Sequence, residues 1–192
     1  MTTSTESRGL PFIVATFLGV GLSPVAPGTV GSIAALPLAV LLLHWPILFS
    51  SATLVVLFML GTWCANHLER ATGLHDAQII VIDEVVGQCL TLLILGTWFL
   101  THIDPYVVLA LSFVSFRLID ILKPWPVSWL DQQVGGGLGV MIDDVAAALI
   151  AAGLVCCSRS RRRRPRRRTR SQARRRRPRR SCWRRRRRSR TR

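Results

Sequence analysis

Phe116-Arg117-Leu118-Ile119-Asp120-Ile121-Leu122-Lys123-Pro124-Trp125-Pro126 and, further on, Gly135-Gly136-Gly137-Leu138-Gly139-Val140-Met141-Ile142-Asp143-Asp144 decide how this chain folds. The first stretch closes an apolar run that opens at Tyr106, and its two prolines stop a helix there. Inside that run stand an arginine and an aspartate, with a lysine at its end. Ionised groups in an apolar setting have to be paired, hydrated or metal-bound. Arg117 and Asp120, three residues apart, share a helix face, and Lys123 follows about one turn later. The second stretch is a glycine loop opening onto another helix. Near its start lie two adjacent aspartates, where free backbone amides favour carboxylates. The expectation is an all-α bundle of apolar helices with a polar seam.

Averaged over 192 residues the chain is strongly basic, with a formal net charge of +16. That average joins two unlike sequences. Residues 1–158 hold all ten acids and only four bases, Arg8, Arg70, Arg117 and Lys123. Residues 159–192 hold the other 22 basic residues, every one an arginine, and no acid. The chain thus divides into a polar N-terminus (1–9), an apolar helical domain (10–157) and an Arg-rich low-complexity tail (158–192) expected to be disordered. Five cysteines show neither CxxC nor a Cys/His zinc spacing, and Cys64 and Cys89 lie in apolar runs as small hydrophobes. The four histidines sit near segment ends with no shared spacing and read as interfacial. No secretory signal pattern is present.

Taken in order, Leu10–Leu22 is apolar but too short to span a bilayer comfortably. Ser23–Ser32 carries two prolines and two glycines and reads as a loop, with a helix from about Ile33 to His44 behind it. Small and hydroxyl residues ahead of a helix start make either an anion-ready nest or a turn with a Ser/Thr cap. Ile47–His67 and Ile79–His102 are long enough to cross a membrane, separated by a polar connector. Tyr106–Leu122 is the next apolar helix, and Trp125 and Trp129 fall where an aromatic membrane belt belongs. Val140–Cys157 is the last, short for a full crossing. Six helical segments result, three or four of them candidate spans, with a compact soluble bundle as the alternative for the shorter ones.

The acids concentrate between Asp76 and Asp144. A carboxylate at the centre of a membrane helix costs about 2.5–3.5 kcal/mol on insertion scales. Several of them scattered over lipid-facing surfaces would exceed the typical stability of a domain, about 5–15 kcal/mol. They must face one another, water or a cation. Asp83-Glu84 and Asp143-Asp144 each place two carboxylates about 100° apart on a helix, so both can enter one seam. Oxygen ligands without paired His or Cys point to Mg²⁺, Mn²⁺ or Ca²⁺. For Asp76, Asp104 and Asp131 the alternative of caps and surface ion pairs stands beside the functional one.

Four blocks in order, Gly21–Ser32, Val81–Gly87, Phe116–Pro126 and Gly136–Asp144, resemble the phosphatidylglycerophosphatase A family. The resemblance implies a Mg²⁺-dependent, all-helical, multi-pass enzyme of the bacterial inner membrane with a cytoplasmic active site. It would release the terminal phosphate of phosphatidylglycerophosphate to give phosphatidylglycerol. It further implies metal ligands at Asp83, Glu84, Asp143 and Asp144, and a catalytic set of Arg117, Asp120 and Lys123. Asp120 would complete the metal set or orient the attacking water. Phosphate-binding amides and hydroxyls would come from Pro27, Gly28, Thr29, Gly31 and Ser32, and from Gly136 and Gly137. Ala77 and Ala148 depart from the family's usual pattern at their positions.

The tail is the larger departure. Its Arg, Pro, Ser, Cys and Trp are what GC-rich DNA yields in a wrong frame, which predicts a frameshift product from about residue 157 onward. As a polybasic segment it would attract anionic lipid, with no specific nucleic acid expected, and the positive-inside tendency would hold the C-terminus in the cytoplasm. The rival functions are a transporter or ion pathway built on intramembrane acids, and a polyanion-binding protein acting through the arginines. No aspartyl-phosphate motif or histidine-bearing lipid-phosphatase signature is present.

Overall fold

The computed structural model describes residues 9–72 and 78–163. His75, Asp76 and the chain beyond Arg163 lie outside the described residues, as does the side chain of Asp131. Seven helices follow in order: α1 (Leu10–Ala15), α2 (Pro27–Leu43), α3 (Ile47–Thr72), α4 (Ile82–Phe99), α5 (Pro105–Leu122), α6 (Val127–Gln133) and α7 (Gly136–Arg163), with a 3-10 turn at Val20–Leu22. Among the described residues there is no strand, so the all-α expectation is met.

α4 is the hub. It packs against α2, α3, α5 and α7, and buries residues on every side, including Gln88 and Thr91. Its approach to its neighbours depends on small residues, as in helix pairs that lack a strong hydrophobic drive between them. A Cβ on Gly87 would meet the Phe116 ring of α5, and one on Gly96 would meet Leu43 of α2. On the α2 side, Gly31, Ala35 and Ala39 form a stripe four residues apart, all buried. Gly31 rests on Val81, just ahead of α4.

Four helices, α3, α4, α5 and α7, are long and apolar enough to cross a membrane. α3 and α5 turn large apolar side chains outward: Val55, Val56 and Met59 on one, Val107, Leu111, Val114 and Leu118 on the other. An apolar exterior this extensive belongs in lipid, and the chain is a multi-pass membrane protein. The compact soluble alternative is set aside.

Several expected boundaries move. α2 starts at Pro27 rather than Ile33, because proline suits the first helical turn, where its missing N–H costs nothing. Leu10–Leu22 is no single helix: Phe17 and Leu18 take left-handed backbone (φ 44° and 60°) and break it. α6 was not anticipated. The glycine loop of residues 135–139 is, from Gly136 on, the first turn of α7. A Cβ on Gly137 would collide with the α3 backbone at Thr62 and Asn66, so the glycines let α7 start directly on α3. At its other end α7 continues through Ser158 to Arg163, so the first residues assigned to the tail are helical.

Chain direction then places the charge. α2, α4 and α7 begin at the end of the bundle where α3 and α5 finish. α7 rises about 1.5 Å per residue over its 28 residues, so its arginines emerge at the opposite end from Asp143 and Asp144. A cytoplasmic active site and a cytoplasmic C-terminus were both expected above. One crossing helix cannot satisfy both.

Candidate active site

At the end where α2, α4 and α7 begin lies a cavity of about 500 Å³, lined by Asp83 and Glu84 from α4, Arg117, Asp120 and Lys123 from the end of α5, and Asp143 and Asp144 from α7. Each charged block that the sequence singled out reaches this one space, because each sits in the first turns or last turn of its helix.

The carboxylates divide into two groups. Oxygens of Asp83, Glu84 and Asp144 lie within 4.8 Å of one another. Asp83 and Asp144 are buried, 8% and 3% exposed, and both Glu84 Oε2 and Asp144 Oδ2 are buried with no hydrogen-bond partner. Three acids so close in low dielectric require a counter-charge. Their geometry, all-oxygen donor set and two orphaned oxygens fit a hard divalent cation. Asp143 stands apart: its Oδ2 accepts from Lys123 Nζ at 2.8 Å. The four-acid ligand set expected from the sequence thus becomes a triad plus one acid engaged by a lysine. The reason is rotational, since neighbours on a helix point about 100° apart and Asp143 turns toward α5 while Asp144 turns toward α4. In both acid pairs the first carboxylate also accepts the next residue's amide, Glu84 N to Asp83 Oδ1 at 3.0 Å and Asp144 N to Asp143 Oδ1 at 2.9 Å.

The Arg117–Asp120 pairing follows their spacing of three on one helix face. Arg117 Nη1 donates to Asp120 one turn on and lies 4.0 Å from Glu84 Oε1. Its Nη2 donates to Thr29 Oγ1 of α2 at 3.3 Å. Its Nε is buried with no hydrogen-bond partner, and the residue lines the cavity. Lys123 occupies a position that usually goes to glycine. It caps α5 with φ 39°, its N–H bonded to Ile119 O, and Pro124 prevents the helix continuing. A non-glycine residue there is strained, and the strain places the ammonium on Asp143.

The predicted phosphate-binding residues separate likewise. Pro27 and Gly28 line the cavity. A Cβ on Gly28 would run into Glu84 Oε1 and lie close to Arg117 Nη2, so only glycine permits this approach. Thr29 takes part through Arg117. Gly31 and Ser32 face α4 instead, with Ser32 Oγ donating to Gly28 O at 2.9 Å. Gly136 and Gly137 do not line the cavity. The Gly137 amide is taken by Asn66 Oδ1 at 2.8 Å, a side-chain cap supplied across helices. Pro24, Ala26 and Gln78 also line the cavity. Pro24 and Ala26 belong to the Gly21–Ser32 block, whereas nothing in its local sequence marks Gln78, which enters only through the fold of the 78–81 segment.

This arrangement, a cation-ready acid triad facing an arginine and a lysine, matches a phosphatase family along most of its length. The family model described as Phosphatidylglycerophosphatase A matches residues 13–159. The chain belongs to the phosphatidylglycerophosphatase A family. It is 38% identical over 135 residues to Phosphatidylglycerophosphatase A of Escherichia coli strain K12, covering 70% of this chain and 75% of that protein. It is 36% identical over 143 residues to the protein of the same name in Haemophilus influenzae, covering 71% and 80%. A Bacteroides thetaiotaomicron protein named "Putative phosphatidylinositol-3-phosphatase" is 40% identical over 146 residues, covering 72% and 86%. No solved structure matches. Family membership makes the chain an enzyme and meets the expectation from its four sequence blocks.

Proposed function

We propose that this chain hydrolyses the terminal phosphate monoester of phosphatidylglycerophosphate, releasing phosphatidylglycerol and phosphate, in a bacterial inner membrane and with Mg²⁺ as its cation. The observation that carries the proposal is the meeting of Asp83, Glu84 and Asp144 with Arg117 and Lys123 on one cavity at the end of a membrane bundle. The names of the relatives support the substrate class.

Phosphate monoesters resist hydrolysis so strongly that enzymes accelerate their cleavage by up to about 10²¹-fold. Most of that must come from charge neutralisation and positioning. A bound Mg²⁺, held by Asp83, Glu84 and Asp144, would neutralise phosphoryl oxygens and lower the cost of forming hydroxide from water. The chain's own residues do the rest. Arg117 offers its guanidinium to the phosphoryl oxygens while Asp120 and Thr29 fix its plane. Lys123, held by Asp143, supplies a second positive charge. Asp120, which lines the same cavity, orients the attacking water, accepting its proton as the new P–O bond forms and the bond to the glycerol oxygen breaks. Asp120 then passes that proton to the departing glycerol oxygen, which leaves as the alcohol. First-turn amides of α2 at Gly28 and Thr29 add donors without a Cβ in the way. Asp143 positions Lys123, and the glycines at 136 and 137 shape α7 rather than bind phosphate.

The test is phosphate release by the purified full chain in detergent, with phosphatidylglycerophosphate, phosphatidylinositol 3-phosphate and glycerol 3-phosphate as parallel substrates, with Mg²⁺ or EDTA. Preference for the first lipid, abolished by EDTA and restored by Mg²⁺, is expected. Turnover unaffected by chelation overturns the metal assignment, and preference for the inositol lipid overturns the substrate. A transporter would release no phosphate at all.

A further inference from the structure

The opposite end of the bundle holds a second site. There a cavity of about 350 Å³ is lined by Trp98, Phe99, His102, Cys156, Arg159 and Ser160. The Arg159 guanidinium lies over the Phe99 ring at 4.8 Å from its centroid, a cation–π contact that holds the side chain flat against α4. Its Nη1 is buried with no hydrogen-bond partner. A desolvated guanidinium N–H without an acceptor is costly, and the cavity beside it has room for one. None of these residues takes part in the chemistry proposed above. Arg159 stands fifteen residues beyond Asp144, about 22 Å along the helix.

The level in the membrane says what the acceptor is. Trp45, Trp98 and Tyr106, all well exposed, come from the end of α2, the end of α4 and the start of α5, and mark an aromatic belt at this end. Indoles and phenols favour the depth of lipid headgroups. Below the belt α5 turns an apolar face outward, including Val107, Leu111 and Val114. Above it Arg161, Arg162 and Arg163 continue the same helix. An anion entering this cavity therefore has fatty chains beneath it and the end of α7 beside it. We infer that the cavity beside Arg159 binds the phosphate of an anionic phospholipid in the leaflet opposite the active site, with Arg159 as its anchoring donor and Trp98 and His102 as its rim. It is a site of defined position, unlike diffuse attraction to the arginine-rich sequence that follows.

The experiment titrates brominated phosphatidylserine into the full chain in neutral-detergent micelles and reads tryptophan quenching, taking the Trp98 signal as the difference from Trp98→Phe. Saturable quenching of Trp98 is expected with this lipid and not with brominated phosphatidylcholine. Millimolar inorganic phosphate should not displace it, since the acyl chains contribute to binding; full displacement would overturn a lipid site. Arg159→Gln should weaken the saturable phase about ten-fold or more, the scale of losing a charged hydrogen bond. Arg175→Gln, in the following sequence, should change it less than about two-fold. Equal effects of the two substitutions would overturn the site in favour of diffuse polyanion binding. His102→Ala, in the loop after α4, should weaken the same phase without lowering the melting temperature. It keeps the test decisive if Arg159→Gln unfolds, because wild-type binding by His102→Ala would then refute the site.

Discussion

Lys123 Nζ and Asp143 Oδ2 lie 2.8 Å apart, joining the end of α5 to the start of α7. The contact separates two acids that adjoin in sequence. Asp144 belongs to the triad with Asp83 and Glu84, whereas Asp143 holds a lysine. Asp143→Asn and Asp144→Asn should therefore fail differently. The first should lower kcat/KM by about 10–100-fold, the scale of a charge-assisted contact, while keeping the wild-type Mg²⁺ dependence. The second should shift Mg²⁺ activation to far higher concentrations. Mg²⁺ titrations of both variants check this, and identical metal curves would refute the division.

Lys123 itself permits a cleaner test because its backbone is left-handed, φ 39°. Lys123→Gly removes the ammonium while relieving the turn. Glycine at such a position is favoured by about 0.4–1 kcal/mol or more, though the lost ion pair offsets part of that. Activity should drop about 10²-fold with a melting temperature within a few degrees of wild type. A variant that loses activity only by unfolding would show that the lysine's role is structural.

Cation binding should be visible without turnover. A ligand that binds only the folded state stabilises it by about 2.7 kcal/mol at one hundred times its Kd. Mg²⁺ should raise the melting temperature of the wild-type chain, and EDTA should reverse the rise. The rise should be lost in Asp83→Asn and Asp144→Asn and retained in Asp143→Asn. No shift in the wild type at millimolar Mg²⁺ would sink the triad as a metal site.

How much of this was legible in the sequence varies with the physics behind each feature. Apolar runs announced α3, α4, α5 and α7, the last of them short for a full crossing when its start at Gly136 reads as a loop, and isolated charges in those runs announced the site. The start of α2 was hidden because proline and glycine, which break a helix inside, also serve its first turn. The role of Gly135–Gly139 was hidden because it depends on Asn66 and Thr62, some seventy residues earlier. Asp143 could not be told from Asp144 without knowing which helix lies on which side of α7. The frameshift proposed for the tail remains a separate test: translating the same DNA in its other two forward frames should yield an apolar helix ending and a nearby stop.

Close packing around α4 predicts a stability effect one turn beyond the acid pair. Gly87 sits where a Cβ would press on the Phe116 ring and approach the Asp144 carbonyl. Gly87→Ala should destabilise by about 1–3 kcal/mol through overpacking. Gly153, where a Cβ would meet nothing within 4 Å, provides the control: Gly153→Ala should be neutral or slightly stabilising, as helix propensity favours alanine by about 1 kcal/mol. Thermal melts of both variants decide the point.

The direction of α7 leads to a topological prediction. Gln133, exposed on α6, precedes α7 at the active-site end, and Thr101, exposed after α4, marks the arginine end. In a background with Cys156, Cys157 and Cys182 replaced by serine, Gln133→Cys and Thr101→Cys should react with a membrane-impermeant maleimide from opposite sides. The side is set by competing charges. At the active-site end stand Arg70 and Lys123, while the other end carries Arg159 and the 21 arginines after it. Positive charge near helix ends favours the cytoplasm, and added C-terminal charge can reverse an orientation. The full chain should therefore label at residue 133 in intact cells and at residue 101 only in inverted vesicles. A chain ending at Ser158, with the body's own bases alone, should show the reverse. Labelling of both positions from one side would mean that α5, the helix between them, does not cross, and would remove the basis for placing the two sites in opposite leaflets.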